Sequence, residues 1–252
     1  MSISRQRDRE VRIRSFGVTF YDGQTASPPL HEQSEWHQLI YATRGVMTVY
    51  TGESAWVVPP HRAVWIPAGF RYRLQMSGEV ALRLLYVRRR TSRLRTCSVV
   101  NVTPLLRELI VRTNLIGALD AGIPEQKRLI GVILDELKLL TVVPLQLPLP
   151  QDARAVRLAE LVAADPGSQS ITGMLRQCGA SRRTLERLFR EETSMSLGQW
   201  LRRQKLLHAL RLLAAGEDVN TIALELGYNS ASAFIAMFRR ELGQTPKRYS
   251  ET

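Results

Sequence analysis

The chain has 252 residues, of which 44% are hydrophobic, and this length and composition favour two domains with substantial cores. Lys and Arg number 35 against 23 Asp and Glu, and the formal net charge of +12 favours a polyanionic partner such as nucleic acid. Two cysteines without C-x-x-C spacing, no signal-peptide pattern and no apolar run of about 20 residues argue against a disulfide-rich secreted domain and a membrane protein, so we expect a cytoplasmic protein.

The N-terminal part of the chain has the pattern of short β-strands. Apolar and β-branched runs separated by Gly and Pro predict strands over residues 15–21, 38–41, 46–50, 54–58, 63–66, 72–76 and 80–87. Closely spaced strands of this kind are typical of a β-sandwich or a small barrel. We therefore predict an all-β sensor domain over residues 1–100.

Helical spacing of apolar residues follows between positions 104 and 143. Leu105, Leu109 and Leu115 mark one predicted helix, and Ile133 and Leu137 mark another. Such leucine-rich stripes either pack beneath the β-domain or form a seam between two copies of the chain, and the sequence leaves both alternatives open. We interpret residues 101–150 as a helical dimerisation and linker region.

Three prolines at the end of this region, Pro144, Pro148 and Pro150, favour an extended connector. Almost everything after it has helical spacing. Helices are predicted over residues 153–164, 171–178, 182–191, 197–215, 219–226 and 231–241, with a last turn at 245–249. Residues 151–252 are therefore predicted to form an all-α domain.

Residues 171–190 have the parts of a helix-turn-helix unit. Gly179 suits the turn, and Ser181 can cap the second helix. The apolar residues of the second helix can form a core with the first. The residues left exposed are charged and suit phosphates and base edges; they are Arg182, Arg183, Glu186, Arg187 and Arg190.

The same arrangement recurs later, with Gly227 in the turn and Ser230 before the second helix. The predicted helix between the two units would span about 28 Å at about 1.5 Å per residue. Because one turn of B-DNA is about 34 Å, such a spacer can place two recognition helices in successive major grooves. The sequence therefore predicts a DNA-binding domain with two helix-turn-helix motifs.

The stretch IALELGYNSASAFIAMFRRELGQTPKRY, from Ile222 to Tyr249, resembles the AraC/XylS family of transcriptional regulators, and the likeness extends back to about Ile171. The resemblance implies that each unit offers one recognition helix to promoter DNA. Carried over by position, the base-reading residues would be Arg183, Glu186 and Arg187 in the first helix and Ala231, Ser232 and Ala236 in the second. The backbone-contacting residues would be Ser181, Arg182, Thr184, Arg190, Ser230, Arg239, Arg240, Lys247 and Arg248.

This sequence departs from the family in both units. Ser194 and Leu197 replace the more usual Gly and Phe after the first recognition helix. The second recognition helix carries short side chains where relatives place Gln or Arg. We therefore expect the first unit to dominate base reading and the second mainly to position the protein on phosphates.

The front domain, from His37 to Met76, resembles the cupin-type sensor domains of many such regulators. The P-x-G part of the cupin metal motif is present at Pro67–Gly69, but Tyr72 stands where the motif has histidine. The resemblance implies a pocket for an unknown small-molecule effector, and the weak candidates to line it are His31, His37, Trp65 and Tyr72. We expect no cofactor and no bound metal.

The fold class predicted for the whole chain is α+β multidomain: an N-terminal all-β cupin-like barrel plus helices, and a C-terminal all-α domain with two helix-turn-helix motifs. The expected partners are double-stranded promoter DNA, the effector, a second copy of the chain and, for an activator, RNA polymerase. One alternative is a metal-dependent cupin enzyme or metal sensor fused to a DNA-binding domain, with ligands from His31, Glu32, Glu35, His37 and His61. Another is an architectural DNA-coating protein without sequence preference.

Overall fold

The computed structural model describes residues 11–27, 36–52, 54–60, 62–88, 95–167 and 171–250. The chain divides into two compact units. We call Met1–Gly52 with Val58–Leu145 the sheet unit, and Glu53–Val57 with Gln146–Thr252 the helical unit. Within the described ranges, none of the helices combines the length and the apolar character needed to cross a membrane.

Antiparallel strands form the framework of the sheet unit. The strands of the chain are β1 Val11–Phe20, β2 Thr25–Ala26, β3 Trp36–Thr51, β4 Ser54–Val58, β5 Arg62–Ile66, β6 Arg73–Arg88, β7 Ser98–Asn101, β8 Ala118–Asp120, β9 Val142–Val143 and β10 Gln146–Pro148. In the sheet unit they follow the order β8-β1-β6-β3-β5-β7-β9, and β2 also pairs with β6. The prediction of an N-terminal β-domain followed by helices is confirmed.

The two longest strands, β3 and β6, each have 16 residues and pair along most of their length. The sequence predicted two shorter strands in place of each. The pairing continues because the register shifts between Ala42 and Val46 absorb the irregularity around Gly45. A glycine within an apolar run therefore marks a bulge here and not a strand end.

Two helices, α1 (Pro104–Ile116) and α2 (Pro124–Lys138), pack against one face of the sheet. Their buried residues Leu106, Ile110 and Ile133 join the core cluster that contains Leu39 and Trp65 of the strands. Full burial of each aliphatic side chain contributes about 1.5–3 kcal/mol. The helices thus complete the core of the sheet unit, which agrees with the first of the two alternatives, packing beneath the β-domain.

The helical unit contains α3 Ala153–Ala164, α4 Ile171–Gln177, α5 Arg182–Thr193, α6 Leu197–Ala215, α7 Val219–Glu225, α8 Ala231–Leu242 and α9 Pro246–Ser250. These bounds agree with the predicted helices to within about two residues. The agreement has a local cause, because capping side chains stand before five of the helices and satisfy their first free N–H groups: Asp152, Ser181, Ser196, Asp218 and Ser230.

The proline-containing segment before α3 is extended, as predicted, and it belongs to the helical unit from Gln146 onwards. Strand β10 pairs antiparallel with β4, and the side-chain amide of Gln146 donates a 2.8 Å hydrogen bond to Ser54 Oγ. The indole Nε1 of Trp200 donates to the carbonyl oxygen of Pro148 over 2.8 Å. This segment is therefore part of the folded helical unit.

Candidate nucleic-acid interface

The first helix-turn-helix unit consists of α4, a turn at Gly179 (φ = +60°) and α5. The Ser181 hydroxyl accepts the Thr184 backbone N–H over 3.1 Å and caps α5. On the inner side, Leu185 and Phe189 are buried, and the Phe189 ring meets the Trp200 ring edge-on at 5.0 Å. This core fixes which face of α5 is left for DNA.

The outer face of α5 is exposed and charged. Arg183, Glu186, Arg187 and Arg190 line a cleft of about 720 Å³ between α5 and the first turn of α6, where Gly198 lies. Three guanidinium groups on one helix face present planar donors that suit phosphates and guanine edges. The structure thus brings together the three base-reading candidates of the first unit.

Two ion pairs run along this face. Arg182 Nε donates to Glu186 Oε1 over 2.9 Å, and Arg187 Nη1 donates to Glu191 Oε2 over 2.6 Å. Both pairs have i, i+4 spacing. Two of the three base-reading candidates, Glu186 and Arg187, therefore already have partners on their own helix.

The second unit consists of α7, a turn at Gly227 (φ = +71°) and α8, whose N-cap Ser230 accepts the Ala233 backbone N–H over 3.2 Å. The base-reading candidates here have short side chains: Ala231 is half-buried, and Ser232 and Ala236 are exposed. The basic residues at the end of this unit are exposed; they are Arg239, Arg240, Lys247 and Arg248. The two recognition faces are thus chemically different.

Helix α6 connects the two helix-turn-helix units. It has 19 residues and begins with a capping box formed by Ser196 and Gln199. Near its middle, Lys205 Nζ donates to the Leu226 carbonyl oxygen over 2.7 Å and lies 5.4 Å from the Tyr228 ring centroid. Burial lowers the pKa of the Lys205 ammonium group, and the Asp165 carboxylate opposes that shift. Lys205 thus fastens the turn of the second unit to α6.

A backbone contact joins the loop before α4 to the same turn. A Cβ atom added at Gly167 would lie 2.0 Å from the Glu225 carbonyl oxygen, and one added at Gly227 would lie 2.3 Å from the Gly167 carbonyl oxygen. Only glycine fits at such distances. The loop that follows α3 therefore contacts the turn of the second helix-turn-helix unit directly through this pair of glycines.

Glu192, near the end of α5, has a structural role that the sequence did not reveal. Its Oε2 accepts the backbone N–H groups of Gln151 (2.7 Å) and Asp152 (3.2 Å). The partners are 41 and 40 positions away, so no local pattern signals them. By contrast, the Arg187–Glu191 pair was open to prediction from its i, i+4 spacing.

The effector-pocket candidates that the structure describes, His37, Trp65 and Tyr72, lie on two faces of the sheet. The His37 Nδ1 accepts the Ala68 backbone N–H over 3.0 Å, and its ring lies 5.1 Å from the Trp65 ring. The Tyr72 hydroxyl donates to Oε1 of Gln38, the next residue of β3, whose side chain points to the opposite face. His31 and the metal candidates Glu32, Glu35 and His61 lie outside the described residues. Among residues that are described, no three His, Cys, Asp or Glu side chains gather as potential metal ligands.

Comparison with known proteins identifies the family. The HTH-type transcriptional regulator NimR of Escherichia coli K12 is 35% identical over 223 residues, which are 88% of this chain and 81% of that protein. A family described as a helix-turn-helix domain matches residues 174–252. The chain belongs to the AraC-type family of helix-turn-helix transcriptional regulators. The resemblance stated from the sequence is thereby confirmed.

The chain is also similar to proteins that match a shorter part of it or have a lower sequence identity. The transcriptional activator RhaR of Yersinia pseudotuberculosis is 40% identical over 70 residues, 27% of this chain and 24% of that protein. The solved DNA-binding domain of AdpA, crystallised with a target DNA, is 32% identical over 40% of this chain and 92% of that one, with a TM-score of 0.36. ToxT of Vibrio cholerae is 11% identical, covers 95% of this chain and 98% of its own, and has a TM-score of 0.39.

Proposed function

We propose that this AraC-type regulator binds promoter DNA sequence-specifically, that α5 reads the bases and that α8 mainly holds the DNA backbone. The observation that carries the proposal is the chemical difference between the two exposed faces. The α5 face carries Arg183, Glu186 and Arg187, whereas the α8 face carries Ala231, Ser232 and Ala236. Capped helices present both faces in equivalent places of their units.

Side-chain reach decides how the two faces act. An Arg can form two hydrogen bonds with guanine O6 and N7, and a Glu can accept from cytosine N4, so α5 can distinguish base pairs. Ala and Ser can contact a thymine methyl group or a single acceptor and discriminate little. The remaining polar residues suit phosphates: Ser181, Arg182, Thr184 and Arg190 in the first unit, and Ser230, Arg239, Arg240, Lys247 and Arg248 in the second.

The test is a comparison of Ala variants on DNA sites obtained by genome-wide mapping of bound promoters. Arg183→Ala or Arg187→Ala should cost about 1–3 kcal/mol of binding free energy and relax preference at one base position. Arg239→Ala should weaken binding to all sequences alike and reduce the salt slope by about 1. An equal, sequence-independent loss in all three variants would favour the architectural DNA-coating alternative.

We further propose that the sheet unit binds a small organic effector on the face of the sheet that carries His37 and Trp65. An effector would change DNA affinity by binding one arrangement of the chain better than another. A screen that measures both the unfolding midpoint and promoter affinity of the full chain tests this. Metal bound stoichiometrically to the purified protein, and lost in His37→Ala, would support the metal-sensor alternative instead.

The proposal also covers the location, the oligomeric state and the protein partners of this chain. We propose that the protein works in the cytoplasm as a homodimer without catalytic activity, and that it contacts RNA polymerase if it activates transcription. Exposed apolar residues on and beside the sheet-unit helices, such as Leu115 (75% exposed) and Leu139 (70% exposed), support self-association. Sedimentation equilibrium of the full chain measures the oligomeric state, and a monomer at micromolar concentration would contradict this part.

A further inference from the structure

The charged face of α5 contains acidic side chains that a simple DNA-binding surface does not need. Glu186 and Glu191 both lie in the cleft beside the arginines, where each repels DNA phosphates. Each is also in hydrogen-bond contact with an arginine on its own helix. Arg183 and Arg190, by contrast, form no ion pair within the described part of the helical unit. The four arginines of this face therefore form two groups. Arg182 and Arg187 are paired with a glutamate on α5, and Arg183 and Arg190 are not.

We propose that Glu191 is a specificity-determining residue that acts by positioning Arg187. This inference rests on the proposed base-reading role of α5. Glu191 accepts one N–H of the Arg187 guanidinium at 2.6 Å, which restricts the orientation of that group. A guanidinium has five donors in a rigid fork, so the remaining donors stay available for the two acceptors of a guanine.

The charge of Glu191 adds to this orienting effect. A carboxylate next to Arg187 disfavours the approach of a phosphate to the same guanidinium, whereas a guanine edge is neutral and is not repelled. Arg187 is thereby diverted from a sequence-independent contact to a sequence-dependent one. The side chains are 58% and 55% exposed, so the pair adds little to folding stability, and its effect falls on binding.

The decisive variant is Glu191→Gln in the full chain, measured on a mapped promoter site and on random DNA of equal length. Without the Glu191 carboxylate, the Arg187 guanidinium should bind a DNA phosphate. Binding to random DNA should tighten several-fold, and its salt slope should steepen by about 0.9. The ratio of specific to random affinity should fall by about 5- to 10-fold, because a good Arg–guanine pair accounts for about that much discrimination or more.

Two controls separate positioning from a general change of charge. Glu160→Gln removes the same charge from an exposed pair, since Glu160 Oε2 lies 3.6 Å from Arg157 Nη1 on α3, and it should leave the ratio unchanged. In an Arg187→Ala background, Glu191→Gln should no longer lower the ratio, because the residue through which it acts is absent. The unfolding midpoint of Glu191→Gln should match that of the parent protein.

The outcomes distinguish this inference from the function on which it rests. If Arg187→Ala lowers the ratio and Glu191→Gln does not, the base-reading role stands and the positioning role of Glu191 is wrong. An equal fall caused by Glu191→Gln with and without Arg187 would also overturn it. If Arg187→Ala leaves the ratio unchanged, base reading by this arginine is itself wrong.

Discussion

Ser194 is the only residue other than glycine with a positive φ in the described part of the chain. It follows α5 with φ = +58°, in the left-handed conformation that is common at helix ends. A Cβ atom in this conformation costs about 1–2 kcal/mol, which glycine avoids. This chain therefore has a strained turn directly behind its charged recognition helix.

Ser194→Gly should stabilise the protein. Relief of backbone strain outweighs the entropy that glycine gains in the unfolded chain, and we expect a net gain of about 0.5–1 kcal/mol in the free energy of unfolding. Urea denaturation of the full chain measures it. Ser194→Ala keeps the Cβ atom and serves as the control, with no comparable gain; equal gains in both variants would show that φ is not the cause.

At the scale of single residues, the sequence predicted local roles such as helix caps and turns better than it predicted which distant residues a side chain contacts. Ser181 and Gly179 occupy the predicted cap and turn because local backbone geometry determines those roles. The opposite faces occupied by His37 and Tyr72 depend instead on strand register. A single-residue shift in register reverses the face of every side chain in a strand. The sequence pattern did not predict the register, so it did not predict these faces.

At the scale of elements, the N-terminus of α3 is stabilised by charge. Hydrogen bonds from the Arg154 side chain and from its backbone N–H, with smaller contributions from other groups, lower the pKa of the Asp152 carboxyl to about 2. The folded pKa lies below the unfolded one. The charged form therefore stabilises the fold above about pH 4, and this contribution is lost as the pH falls towards 2.

Asp152→Asn isolates that charge, because Asn caps helices about as well as Asp but does not ionise. The variant should be less stable than the parent protein near neutral pH, and the difference should shrink as the pH falls from 4 to 2. Unfolding midpoints in urea across this pH range measure the difference. A constant difference at all pH values would mean that capping geometry, and not charge, is responsible.

The two helix-turn-helix turns should respond differently to the same substitution. Gly179→Ala adds only backbone strain, since no atom lies within 4 Å of the added Cβ. Gly227→Ala adds the same strain plus a collision with the Gly167 carbonyl oxygen at 2.3 Å. Gly227→Ala should cost about 1–3 kcal/mol more in thermal or chemical unfolding. Equal costs would show that the Gly167–Gly227 contact is unimportant.

Elements whose cause is local were predicted closely, and elements whose cause is a distant partner were not. The long helix α6 has its predicted bounds because Ser196 begins it and Gly216 ends it. Strands β7, β8, β9 and β10 were not predicted, because they have only two to four residues and exist through pairing with other strands. Periodicity needs longer segments to be visible.

At the scale of the whole molecule, the helical unit does not begin where helical spacing begins. A fragment of residues 146–252 keeps the Pro148 carbonyl that accepts the Trp200 indole N–H, and a fragment of residues 152–252 lacks it. The longer fragment should be more stable by about 1–3 kcal/mol and should bind promoter DNA with steep salt dependence. Equal unfolding midpoints of the two would show that β10 is dispensable.

The position of strand β4 in the chain also affects how such regulators can recombine their domains. It belongs almost entirely to the helical unit, yet in the chain it lies between two stretches of the sheet unit. A gene fusion cut near residue 150 would transfer the helices and leave behind both β10 and its partner strand. We therefore expect a fusion at that point to lower the stability of the helical unit unless the new sensor supplies an equivalent strand pair, which would restrict the sensors that this module accepts.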